Sequence, residues 1–248
     1  MSVFRFKHFD IVNEASSMKV NTDGVLLGAS VTLRETDLRV LDAGTGTGTI
    51  ALMAAQRYST LGMAEGLKIT GIDIDAPSAA EAAMNFRMSP WADTLEAGHC
   101  ALRQWFPPES LDLIVSNPPF FEDSLLPPEK RRGVARHTSG AALSYVDLLE
   151  FAREHLKESG RLAMILPADR EQGVVRYAAS CGFRPFRTLR IRTTPQKDPS
   201  RIIIELSRAD LGFKEEWLTI QDVKTYPDNK DGYTPEYLEL MHDFYLYA

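Results

Sequence analysis

Arg39-Val40-Leu41-Asp42-Ala43-Gly44-Thr45-Gly46-Thr47-Gly48-Thr49-Ile50-Ala51-Leu52-Met53-Ala54-Ala55 decides how this chain folds. Residues 39–42 read as a short buried strand and the run from about 48 to 58 as a helix, with a glycine-rich turn between them. Glycine lets such a turn adopt backbone angles closed to other residues and lets a ligand approach the main chain. A turn of this composition is also a common structural device, so by itself it decides nothing about ligands. It is not the dinucleotide fingerprint, because Thr49 occupies the place of the third glycine. Asp42 would also put a carboxylate where a pyrophosphate must sit, and it suits a cationic amino group better.

Working outward, Lys68-Ile69-Thr70-Gly71-Ile72-Asp73-Ile74-Asp75 reads as the next strand, with Asp73 at its tip. An acidic side chain there can accept both hydroxyls of a ribose. A ribose with an amino acid and no phosphate describes S-adenosylmethionine, which is the cofactor expected. Further on, Leu111-Asp112-Leu113-Ile114-Val115-Ser116 reads as a fully buried parallel strand running into Asn117-Pro118-Pro119-Phe120. Two consecutive prolines exclude both helix and ladder, leaving a stiff extended turn at the strand end, where open α/β sheets build their sites. The tetrad presents an amide, a carbonyl and an aromatic face. Hydrogen bonds from a planar amine to the Asn117 side-chain oxygen and the Pro118 carbonyl would localise its lone pair, while Phe120 stacks on the ring.

Strands are expected near 39–42, 68–73, 95–100, 111–116, 161–166, 185–192 and 201–207, and helices near 48–58, 76–88, 144–158 and 169–180. This alternation predicts an α/β fold, a mostly parallel sheet with helices on both faces. Phe4-Arg5-Phe6-Lys7 alternates like an edge strand or hairpin, and Asp23 is the expected N-cap of a short helix over Val25–Ala29. The helix from Ser144 carries one apolar face (Tyr145, Leu148, Leu149, Ala152, Leu156), a capping box with Asp147, and Gly160 as its expected stop. The length suits a single domain over 1–248, with an N-terminal segment 1–35, a substrate flap 118–143 and a C-terminal extension 209–248.

With 44% hydrophobic and 25% charged residues, the chain is of ordinary globular composition, with no apolar run long enough for a membrane span and no secretory pattern. Cys100 and Cys181 form neither a disulfide framework nor a zinc motif, and the five histidines lack metal-ligand spacing, so a reducing cytoplasm and no metal are expected. The net charge of −6 hides an uneven distribution. Lys130, Arg131, Arg132 and Arg136 give +4 over 130–137, beside His137, with no acid. Residues 184–208, including Arg190 and Arg192, hold seven basic groups against two acids, a balance of +5. Both patches are candidates for a phosphate backbone, although charge runs are more often simply solvated.

Together these motifs resemble the class I S-adenosylmethionine-dependent methyltransferases that modify amines. More closely, the chain resembles the bacterial tRNA1(Val) adenine-N6-methyltransferase family, which acts on the adenine 3′ of the anticodon. The resemblance rests on Met18-Lys19-Val20-Asn21-Thr22-Asp23-Gly24-Val25-Leu26-Leu27-Gly28-Ala29, Leu41–Gly48, Ser116–Phe121, Ala135-Arg136-His137, Tyr233-Thr234-Pro235-Glu236-Tyr237 and Asp243-Phe244-Tyr245-Leu246. It implies a Rossmann-like, seven-stranded sheet with a reversed last hairpin and tRNA as partner. It also implies that Asp42, Gly44 and Gly46 hold the methionine part, Asp73 the ribose, and that Asn21, Thr22 and Asp23 close over the cofactor. His99-Cys100-Ala101-Leu102 departs from the family, in which an aspartate often binds the cofactor's adenine. Glutamine methylation in a protein and guanine methylation in ribosomal RNA use the same tetrad. The first usually has tyrosine in place of Phe120 and an added N-terminal helical domain; the second typically has a duplicated domain. A non-catalytic cofactor-binding module would have no use for the aligned tetrad.

Overall fold

A computed structural model describes residues 2–119, 143–226 and 231–248. The first elements are the hairpin β1 (Val3–Arg5) and β2 (Asp10–Val12) and helix α1 (Thr22–Ser30). Then come β3 (Arg39–Ala43), α2 (Thr49–Thr60), β4 (Lys68–Asp73), α3 (Ala76–Met88), β5 (Leu95–His99) and β6 (Leu111–Ser116). The second half contains α4 (Tyr145–His155), β7 (Leu156–Pro167), α5 (Glu171–Ser180), β8 (Arg184–Arg192), β9 (Arg201–Ser207), β10 (Lys214–Thr219) and α6 (Pro235–Met241).

The sheet runs β10-β8-β9-β7-β6-β3-β4-β5, with β9 antiparallel to both of its neighbours. Alternation along the central strands explains why both faces are covered. Val40, Ile69, Leu113 and Val115 enter one apolar cluster with residues of α1, α2 and α6. Leu41, Ile72 and Ile114 enter the other, with residues of α4 and α5. A strand apolar on both sides must be buried on both sides. The chain moves outward through β3, β4 and β5, then returns to place β6 on the other side of β3. The crevice at this reversal, outside the strands' C-terminal ends, is where such sheets bind ligands.

The seven expected strands are present as β3–β9, and an eighth, β10, pairs parallel with β8. It comes from the expected C-terminal extension and escaped notice because only Leu218 among its six residues is buried. Helix α4 has the expected capping box but stops at His155, three residues early. Gly160 is not its stop; it lies inside β7, beside a register shift between Leu111 and Leu113. A Cβ there would fall 2.9 Å from the Lys157 carbonyl oxygen and 3.1 Å from that of Leu111. The cap of α1 is Asn21, which accepts from the Gly24 N–H, rather than Asp23.

A fully buried ion pair ties the segment before β3 to β7. Arg161 donates to both oxygens of Asp37, at 2.8 and 2.6 Å, and to the Thr32 carbonyl. The Tyr58 hydroxyl adds a 2.6 Å bond to the same carboxylate.

Candidate active site at the ends of β3, β4 and β6

The glycine turn is left-handed at Gly44, Gly46 and Gly48, with φ of 74°, 57° and 85°. Backbone N–H groups of Gly44 and Thr45 both donate to the Ile72 carbonyl, fastening the turn to β4. At Gly48 a side chain would also collide with α3, since a Cβ would lie 2.4 Å from Phe86 Cε1.

Asp42 is completely buried. Its Oδ2 accepts from Thr45 Oγ1 at 2.8 Å and from the Ala51 N–H at 3.2 Å, whereas Oδ1 is buried with no partner. Burial pushes the carboxyl up to about 7, against the pull of those two hydrogen bonds, and the neighbouring Asp73 charge adds to the rise. Asp73 is half-buried and braces the turn: Oδ2 accepts from the Gly46 N–H at 2.9 Å and Oδ1 from the Asp75 N–H at 2.8 Å. Each carboxylate oxygen retains further accepting capacity.

The N-terminal segment lies against this turn. Glu81 of α3 accepts from the backbone N–H groups of Glu14, Ala15 and Ser16, and Asn85 bridges Val12 to the Thr47 carbonyl. These anchors place the Met18 carbonyl oxygen 3.5 Å from where a Cβ on Gly46 would stand. Sequence reasoning missed Glu81 and Asn85. Their signal was a pair of polar residues four apart on the buried stripe of an alanine-rich helix.

Beyond β6, Ser116 Oγ donates to the Ala43 carbonyl at 2.7 Å and so joins the two strand ends. Asn117 is 7% exposed. Its Nδ2 donates to Asn21 Oδ1 at 3.3 Å and approaches Met18 Sδ at 3.8 Å, while its Oδ1 is buried without a partner. Pro118 is buried and Pro119 half-buried. Asp42, Gly44, Gly46, Asp73, Asn117 and Asn21 are thus gathered at neighbouring strand ends. Thr22 is exposed, and Asp23 turns to Arg201, whose Nε lies 2.8 Å from its Oδ2. Phe120 and the basic residues Lys130, Arg131, Arg132, Arg136 and His137 lie outside the described residues. Among the described residues, no group of three His, Cys, Asp or Glu could hold a metal ion.

The basic surplus over 184–208 is largely neutralised in space. Arg190 pairs with Glu171 and Glu215, and Arg187 with Glu205 and Glu216. Arg192 donates to Thr219 Oγ1 and the Pro195 carbonyl, with its guanidinium over the Trp217 ring.

The sequence profile of the methyltransferase small domain family matches residues 16–176. A tRNA1(Val) (adenine(37)-N6)-methyltransferase of Trichodesmium erythraeum is 40% identical over 98% of this chain and 97% of its own length. One of Parabacteroides distasonis is 37% identical over the same shares. In fold, the chain resembles a crystal structure described as a predicted O-methyltransferase of Agrobacterium tumefaciens. The TM-score is 0.64 at 18% identity, over 90% of this chain and 96% of that one. With the profile covering well over half of the chain and the two relatives matching nearly all of it, this protein belongs to the methyltransferase small domain family and, within it, to the tRNA1(Val) (adenine(37)-N6)-methyltransferases.

Proposed function

We propose that this chain methylates the exocyclic amine of adenine in tRNA, at adenine 37 of valine tRNA as in its relatives' names, with S-adenosylmethionine as methyl donor. One observation carries the reading: two acceptor atoms, Asp42 Oδ1 and Asn117 Oδ1, are buried without partners at the ends of neighbouring strands. Buried acceptors left unpaired are costly, so each favours a ligand that brings a donor.

The set of acceptors fits S-adenosylmethionine. An ammonium suits Asp42, the left-handed glycine turn over 44–48 presents backbone to the amino-acid part at the ends of β3 and β4, and Asp73 can take ribose hydroxyls. The cofactor supplies an electrophilic methyl group on a sulfonium. The chain's own residues then position and activate the amine. Asn117 Oδ1 and the Pro118 carbonyl accept its two hydrogens, which draws the nitrogen lone pair out of the ring, and Phe120 stacks on the base. The nitrogen gains the methyl carbon as the carbon–sulfur bond breaks, and once methylated it is acidic and gives up one proton to water, so positioning and exclusion of bulk water account for the rate without a strong base. An anticodon-loop adenine is already partly unstacked, so delivering it to a pocket is inexpensive. The basic run Lys130–His137 is the proposed phosphate contact of a substrate flap over 118–143, and the cytoplasm is the proposed location. No helix among the described residues is long and apolar enough to cross a membrane.

The test is incubation with methyl-labelled cofactor and separate valine tRNA, ribosomal RNA and protein pools, followed by nucleoside analysis. Label in methyladenosine at position 37 of the tRNA is expected, and it should be lost in Asn117→Ala while cofactor binding persists. Label confined to guanine or to protein would replace the reading.

A further inference from the structure

Asn21 carries a second role besides capping α1. Both polar atoms of its side chain have partners: Nδ2 donates to the Lys19 carbonyl at 3.0 Å, and Oδ1 accepts from the Gly24 N–H at 2.8 Å. That backbone N–H cannot reverse its polarity, so Asn21 Oδ1 is held as an acceptor. The group facing it at 3.3 Å must therefore be a donor, which is the amide nitrogen of Asn117. Reversal of the Asn117 carboxamide would set two oxygens against each other. The Gly24 N–H thus dictates, through Asn21, that Asn117 leaves its oxygen and not its nitrogen as the free group.

The geometry points to Asn21 as a positioning residue that sets the amide orientation of Asn117, so that an acceptor meets the substrate amine. This rests on the reading of Asn117 as that acceptor. The link joins the N-terminal segment to the tetrad across 96 residues of sequence.

Capping and orientation can be separated by substitution. Serine is as good an N-cap as asparagine but is shorter, so Asn21→Ser keeps the bond to Gly24 and loses the one to Asn117. Asn21→Asp keeps both accepted bonds and, like Asn21→Ser, loses the donation from Nδ2 to the Lys19 carbonyl, so the two variants differ in the bond to Asn117. The measurements are kcat on valine tRNA transcript, Kd for S-adenosylmethionine and Tm. Asn21→Ser should keep the wild-type Tm and Kd while kcat falls at least about tenfold, the equivalent of one lost hydrogen bond. Asn21→Asp should recover most of that rate. Wild-type kcat in Asn21→Ser, or a Kd that weakens in step with kcat, overturns the inference. Asn117→Ala separates the two levels. If it retains full turnover, the underlying reading of the tetrad fails; if it is inactive while Asn21→Ser is fully active, only the role of Asn21 fails.

Discussion

Asp42 and Asn117 end neighbouring parallel strands, Asp42 directly opposite Val115 in the register and Asn117 two residues beyond it. In Asp42 protein donors occupy Oδ2, in Asn117 Nδ2 donates to Asn21 Oδ1, and each residue leaves its Oδ1 buried and unpaired. The two differ in charge. An ionisable carboxyl suits a cationic ligand, whereas a neutral amide suits an uncharged amine. On the proposed function, the sheet would separate the part that holds the methyl donor from the part that acts on the substrate, one strand apart.

If Asp42 holds the cofactor's ammonium as proposed, cofactor binding is expected to depend on pH. Burial holds its carboxyl at about 7, well above the 3.8 of an exposed aspartate, so between those values the folded protein binds a proton that the unfolded chain has released. Stability from this group is therefore fully present below about 4 and falls as pH rises towards 7. An ammonium beside the carboxyl favours its ionised form, so S-adenosylmethionine should bind more tightly as pH rises to 7 and release a proton on binding near pH 6.5. Calorimetry in buffers of different ionisation heat measures this. In Asp42→Asn the remaining amide oxygen can still accept from Thr45 and Ala51, so the turn should survive. Affinity should fall at least about tenfold, the equivalent of one charged hydrogen bond, and lose its pH dependence. A wild-type pH profile in that variant would exclude Asp42 as the ammonium partner.

The sheet and the end of β6 at Asn117-Pro118-Pro119 are legible in the sequence because they depend on short-range signals. The apolar runs at 111–116 and 201–207 are buried strands whatever surrounds them, and the two prolines act on the backbone directly. What escaped reading depends on partners distant in sequence. The spacing of Gly160 from Ser144 fits a helix stop, yet its place is set by the carbonyls of Lys157 and, on another strand, Leu111. Asp23 and Asn21 both make good caps, and Arg201, far along the chain, draws Asp23 away. The charge count over 184–208 did not include Glu171, Glu215 and Glu216, which the fold brings alongside.

Arg161 and Asp37 are each 1% exposed, and removing either partner should be among the more damaging single changes outside the site. Asp37→Ala leaves a guanidinium buried without its counter-charge and removes the acceptor of Tyr58 and of the Arg34 N–H. A loss of about 3–5 kcal/mol is expected from urea unfolding. Replacing both residues, Asp37→Ala with Arg161→Met, should cost clearly less than the sum of those two single changes, since no unpaired charge remains. Additive losses would mean that the pair is not coupled.

Charge reversal distinguishes basic residues available to RNA from those already paired. Arg131→Glu with Arg132→Glu should weaken tRNA binding and flatten its salt dependence, each lost phosphate contact lowering the log–log slope by about 0.7 on single-stranded RNA. Arg190→Glu should behave differently. That position sits between Glu171 and Glu215, so a third carboxylate there opposes two others and should lower Tm, while the salt slope stays close to wild type. Filter binding across a salt series, with thermal unfolding of the same variants, reads both effects. A slope unchanged by reversal at Arg131 and Arg132 removes the flap from the RNA path, and a flattened slope in Arg190→Glu would mean that its pairs with Glu171 and Glu215 open when tRNA binds.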